Sequence, residues 1–253
     1  MSESLSLAQC LALKLMPDVR FYDAGQGREP VLALPGPLAA GLAALQPCGV
    51  ILFRENLASA AQCRELTAQI RAALGPRALI GIDQEGGRVT RLPRAEVTSF
   101  SGNMALAACP APERGELAEA MGAAQAAELR GLGINVNFAP SLDVNSNPDN
   151  PVIHVRAFGD DPRQVAQLGA AVVRGLQGGA VASAIKHFPG HGDTADDSHT
   201  GLPRVERDRD TALAVDVAPF AGVIRAASPD MVMTAHIQYP ALDPGCLPGT
   251  DCI

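Results

Sequence analysis

Short apolar runs of strand length alternate along this chain with longer stretches in which apolar residues recur every three or four positions. The clearest run is 48–53 (CGVILF), a continuous apolar segment of the kind buried on both faces of a parallel sheet. Further strands are predicted over 78–82, 134–139 (INVNFA), 181–185 and 230–235 (DMVMTA). A first strand over 13–22 is weakened by Pro17, which cannot donate to a ladder. Between them the spacing predicts helices over 38–45, 59–74, 115–132, 162–176 and 211–227. Ser59 is placed as an N-cap, Pro162 sits in a first turn with Gly178-Gly179 as the stop, and Pro219 should kink the last helix or reset its start.

This rhythm of about six βα units predicts an α/β fold with a parallel sheet, either doubly wound or closed into a barrel. Polar residues follow several different strands: Asp83, Asn137 with Asp143, Lys186-His187, and His236. A (β/α)8 TIM-barrel-like chain brings such strand ends to one face, where active sites form, and this favours the barrel. A nucleotide fold would carry a Gly-rich phosphate turn, and neither GxGxxG nor GxxxxGK[ST] occurs.

Composition narrows the picture. With 253 residues, 47% of them apolar, the chain can bury a sizeable core. A net charge of −7 argues against nucleic acid and anionic membrane as partners. Cys10, Cys48, Cys63, Cys109, Cys246 and Cys252 form no CxxC pair, so neither a zinc knuckle nor a disulfide framework is signalled. The first residues hold no basic, apolar leader and no run long enough for a membrane span, which reads as a soluble cytoplasmic enzyme. The chain has no Trp and two Tyr, so few rings are available for stacking on a ligand.

The chemistry concentrates in 182–203, ASAIKHFPGHGDTADDSHTGLP, where three of the five histidines fall within thirteen residues. The segment reads as a strand feeding a reactive loop, with Pro189-Gly190 ruling out helix. Asp197 precedes His199 by two residues; an acid so placed can orient an imidazole and raise its pKa from about 6.5 toward neutrality or above. Such a ring can protonate a leaving oxygen and then deprotonate water. The rival is zinc, for which His187, His191, Asp193, Asp197 and His199 are ligand types. Lys186 and His187 suit two donors aimed into a pocket, or a rim lysine beside a core histidine. Asp83 opens IDQEGGRVTRL, where a carboxylate and Arg88 or Arg91 suit sugar hydroxyls, or else Asp83 simply pairs with an arginine. His236 is expected to line the pocket.

Taken in order, DQEGGR, NFAPSLDV, RAFG, KHFPGHGDT, DSHTGLP and MVMTAHIQYPALD resemble glycoside hydrolase family 3, specifically its β-N-acetylhexosaminidase branch. The resemblance runs from about Gly49 to Pro244 and implies one barrel domain over 1–253. It implies exo-acting, retaining release of terminal β-N-acetylglucosamine from peptidoglycan-type fragments, without a cofactor, by a His199–Asp197 acid/base dyad. Asp83, Arg91, Arg156, Lys186 and His187 become sugar ligands, while Gln84, Glu85 and Arg88 hold their loop and Asp143 braces another. The family's nucleophile is an aspartate after a seventh strand, and the chain ends at Ile253, just past the sixth. Two expectations follow: a barrel lacking its last two βα units, and impaired hydrolysis. Such a chain could bind N-acetylglucosamine without cleaving it, or self-associate through open barrel edges.

Overall fold

The computed structural model describes residues 5–194 and 202–243. In chain order the elements are α1 (Leu7–Ala12), β1 (Phe21–Asp23), β2 (Arg28–Pro30), α2 (Gly36–Leu45), β3 (Gly49–Leu52), α3 (Ala60–Leu74) and β4 (Leu79–Ile82). There follow β5 (Gln84–Gly86), β6 (Val89–Thr90), α4 (Asn103–Ala107), α5 (Ala111–Gly131) and β7 (Val136–Asn137). The remainder are α6 (Pro162–Gly178), β8 (Ala182–Phe188), α7 (Arg209–Thr211), α8 (Ala218–Ala227) and β9 (Met231–Thr234). Parallel strands alternating with helices are the pattern of a (β/α)-barrel-type domain. The chain divides into two compact units, 1–84 with 90–98 and 127–137, and 85–89 with 99–126 and 138–253.

In the first unit β3 pairs in parallel with β4, and β4 with β7. The strand expected over 13–22 is reduced to a single parallel bridge from Asp18 to Ile51. Pro17 can only accept, and it does so from Ile51 N at 3.0 Å, while 21–23 turn away into an antiparallel hairpin with β2. The strand expected over 134–139 shrinks to β7, and asparagine side chains take up backbone donors of the neighbouring strand region. Asn135 Oδ1 accepts from Ile80 N at 2.7 Å, and Asn137 Oδ1 accepts from Gln84 N at 3.0 Å. Helix α3 starts where its cap predicts, Ser59 accepting from Gln62 N, and buries Cys63, Leu66, Thr67 and Ile70 at helical spacing.

In the second unit β8 pairs in parallel with β9. Strand β8 extends past the expected Ile185 through Lys186 and His187 to Phe188. It does so because both its edges are satisfied: Leu142 N donates to Lys186 O at 2.6 Å, and Ala235 N donates to Phe188 O at 2.7 Å. Helix α6 begins at Pro162 under an Asp161 cap and buries a broad stripe from Val165 to Leu176. The last helix is interrupted as Pro219 predicts: 212–217 form wide i→i+5 turns, and α8 restarts with the proline in its first turn. Among the described residues no helix is long and apolar enough to cross a membrane.

Burial and capping can be separated on α3. Leu66 is wholly buried, so Leu66→Ala should cost about 2–5 kcal/mol, whereas Ser59→Ala should cost about 0.5–2 kcal/mol. Urea denaturation of both variants checks the order, and an equal or reversed loss would show that the cap, not the core face, holds this helix.

Candidate functional site

The second unit gathers its charged side chains around β8. Glu85 and Lys186 are each about 2% exposed, and Lys186 Nζ lies 2.7 Å from Glu85 Oε1. Arg156 closes on the same carboxylate with both arms of its fork, Nε to Oε2 at 2.9 Å and Nη2 to Oε1 at 2.7 Å. Burial alone would push the Glu85 carboxyl up; the Lys186 charge and the Arg156 hydrogen bond and charge overcome it and hold it down to about 2. The reading of Glu85 as a residue that holds rather than reacts fits this triad. Arg156 sits in the 154–156 turn, its backbone oxygen taking a hydrogen bond from Asn103 Nδ2 at 2.7 Å.

A second buried acid sits beside the next residue along β8. Asp143, fully buried, accepts from His187 Nδ1 at 2.7 Å, from Ser141 Oγ at 2.7 Å and from His191 N at 2.7 Å. Burial pushes its carboxyl up, but the facing His187 and these donors hold it well below the usual carboxylate range. A carboxylate only accepts, so His187 carries its proton on Nδ1 and turns its other edge away. The side chain is 18% accessible, and Nε2 lies 3.5 Å from Arg156 Nη2. His191 is buried against Thr194 Oγ1 at 2.6 Å, and that burial lowers its pKa despite Asp143. Asp143 braces its loop, as expected, and also forms an Asp–His pair that sequence spacing cannot show, because its partner is 44 residues away.

The loop after His187 is packed tightly enough to require glycine. A Cβ on Gly192 would lie 1.7 Å from Val144 O, so this turn reaches the 142–147 segment only without a side chain. In the first unit Asp83 Oδ2 lies 3.6 Å from Arg91 Nη2, the arginine pairing foreseen for it. Gln84 holds that loop, its Oε1 accepting from Arg91 N at 3.0 Å. Asp197 and His199 lie outside the described residues. His154 and His236 are exposed, and among the described residues no three His, Cys, Asp or Glu side chains gather as a metal site.

The Glu85 triad should be visible in acid. A carboxyl whose folded value is depressed contributes stability above its unfolded value near 4.5, and that contribution is lost as pH falls toward about 2. Glu85→Gln should lower stability at pH 7 by about 3–5 kcal/mol, as for a broken buried pair. It should also flatten the loss between those two pH values in urea titrations. A variant as stable as the parent at pH 7 would refute the triad's role.

A sequence model described as the Glycosyl hydrolase family 3 N terminal domain matches residues 37–251. Beta-hexosaminidase A of Pseudoalteromonas piscicida is 48% identical over 251 residues, covering 94% of this chain and 42% of that protein. The structure of a glycoside hydrolase family 3 beta-N-acetylglucosaminidase from Paenibacillus sp. str. FPU-7 superposes with a TM-score of 0.86 at 42% identity, over 97% of this chain and 44% of that one. NagZ from Neisseria gonorrhoeae, in complex with N-trifluoroacetyl-D-glucosamine, gives a TM-score of 0.81 at 34% identity, over 90% of this chain and 65% of that one. The chain thus spans about half the length of the curated relatives it matches. With the family's domain running through most of its residues, this chain belongs to glycoside hydrolase family 3, in its β-hexosaminidase branch.

Proposed function

We propose that this chain carries the sugar-recognition and proton-transfer residues of an exo-acting β-N-acetylhexosaminidase that releases terminal β-N-acetylglucosamine from peptidoglycan-type fragments with retention. The observation that carries the reading is the partly exposed His187 ring. It is fixed by a buried carboxylate on one side and lies beside an arginine already oriented by Glu85. Donors held rigidly by buried acids suit an uncharged polyhydroxylated ligand, because they lose little freedom when a hydroxyl arrives. Arg156, Lys186 and His187 are the ligands on this unit. Asp83 and Arg91 keep the ligand role that the DQEGGR motif implies. Arg91 Nε and Gln84 Nε2 support it, being buried donors without a hydrogen-bond partner among the described residues.

His199, polarised by Asp197, delivers the proton to the glycosidic oxygen and later takes one from water; these roles rest on the DSHTGLP motif. Zinc is the rival, and two of its candidate ligands, Asp197 and His199, lie outside the described residues. His187 and His191 each engage Nδ1 with a protein oxygen, which leaves Nε2 as the nitrogen either ring could offer a metal. A second reading follows from the chain spanning 42% of one relative and 44% of one solved chain: it binds the amino sugar without cleaving it.

Turnover of a chromogenic N-acetyl-β-glucosaminide, with calorimetry on N-acetylglucosamine, tests both. Turnover by the parent would establish the first reading, and His199→Ala should then lower kcat by about 10²–10⁴-fold. Arg91→Ala should weaken binding by about tenfold, the loss of one charge-assisted hydrogen bond. Binding without turnover establishes the second reading, and turnover untouched by His199→Ala overturns the acid/base assignment. One tightly held zinc per chain, removable with loss of turnover, would restore the metal.

A further inference from the structure

The strand ends of the first unit carry a second acid–arginine couple besides Asp83 and Arg91. Asp18 bridges in parallel to Ile51, and β3 pairs in parallel with β4 as far as Leu52 and Ile82. One residue further on, Phe53 stands level with Asp83; two residues beyond Asp18, Arg20 stands level with Phe53. Level residues of neighbouring strands point to the same face of a sheet. Leu52 and Ile82, on the opposite face, are wholly buried.

The side chains agree with this register. The Arg20 guanidinium carbon lies 3.9 Å from the centroid of the Phe53 ring. Asp18 locks it there, Oδ2 taking Nε and Nη2 at 2.6 Å each and Oδ1 taking the Arg20 backbone N at 2.7 Å. The backbone is held as well: Arg20 O accepts from Val31 N at 2.9 Å, and Asn56 Nδ2 donates to Val19 O at 3.1 Å. Arg54, which follows Phe53, donates from Nη2 to Thr90 O at 3.3 Å, beside Arg91. A line of contacts thus runs from Arg20 through Phe53 and Arg54 to the Asp83–Arg91 couple. At about 4.8 Å per strand, the two couples stand about 10 Å apart.

Both couples have the same chemistry. A carboxylate accepts from hydroxyls, and the guanidinium beside it donates to them. Each couple is neutral as a whole, which suits an uncharged ring better than a charged group. The Asp18 and Arg20 side chains are 38% and 37% exposed, so a ligand can reach them. Arg20 Nη1 makes no hydrogen bond among the described residues, and the guanidinium plane continues the flat surface begun by Phe53.

We propose that Asp18, Arg20 and Phe53 form a second sugar subsite, which holds the neutral ring next to the one bound at Asp83 and Arg91. This rests on the reading of Asp83 and Arg91 as ligands of the terminal sugar. The subsite selects by the second ring and takes no part in proton transfer.

Calorimetry with N-acetylglucosamine and with thio-linked N,N′-diacetylchitobiose, whose sulfur bridge resists cleavage, tests it. The parent should bind the disaccharide about tenfold more tightly, the effect of one charge-assisted hydrogen bond. Arg20→Met and Asp18→Asn should each abolish that preference and leave the monosaccharide Kd within twofold of the parent. Arg20→Lys keeps the charge without the fork and should restore the preference only in part. Phe53→Leu should lower it by about threefold, and it reads out the subsite if Arg20→Met does not fold. A parent without the preference, an Arg20→Met variant that retains it, or variants that weaken both sugars alike each overturns the subsite. A parent that binds neither sugar defeats the terminal-ring reading and the subsite together. Monosaccharide binding indifferent to Arg91→Ala defeats the terminal-ring reading alone, and the disaccharide preference still judges the subsite.

Discussion

The second unit depends on a carboxylate that water cannot reach. Glu85 stands in a buried site with Lys186 and Arg156 against it. Removing such ions from water is expensive, and mutual attraction offsets that cost only when geometry and hydrogen bonds are complete. The arrangement is therefore weak as a source of net stability and strong as a constraint. It fixes where β8 places Lys186 and how the 154–156 turn presents Arg156. Hydrophobic residues of the same volume could pack there, but they would not orient a guanidinium.

The neighbouring acid follows the same logic with a different result. Asp143 is wholly buried while its partner keeps some accessible surface, so the pair is not sealed as the Glu85 triad is. Adjacent residues of β8 serve the two acids. Lys186 meets Glu85, and His187, one position on, meets Asp143, with Arg156 Nη2 beside both groups. Arg207 then does for the following loop what Glu85 does for the strand, gathering elements from four places in the sequence around one charge.

Much of this was legible in the chain because local signals agreed with tertiary ones. Ser59, Asp161 and Pro162 mark helix starts by chemistry that acts within one turn, and the structure places α3 and α6 there. Pro219 announced the break before α8 for the same reason. Strands were harder. Those over 13–22 and 134–139 were overdrawn; there a proline and two asparagines take hydrogen-bond partners that the hydrophobic pattern does not announce. Motif order pointed to the KHFPGHGDT loop and to Arg156, but not to how they are held. Glu85 meets Arg156 across 71 positions, and Arg207 lies in a charge-rich stretch, VERDRD, that reads as solvated surface. Only the fold reveals that its guanidinium is enclosed.

Asp143 carries one more implication. Its two oxygens divide their attention: Oδ2 fixes the proton of the His187 ring, while Oδ1 receives the main-chain N–H of His191. Chemical state and loop geometry are thus wired to one atom group. An engineer who exchanged that aspartate to retune the His187 ring would also move the main chain at His191, so ring chemistry and loop alignment are not independent design variables in this scaffold.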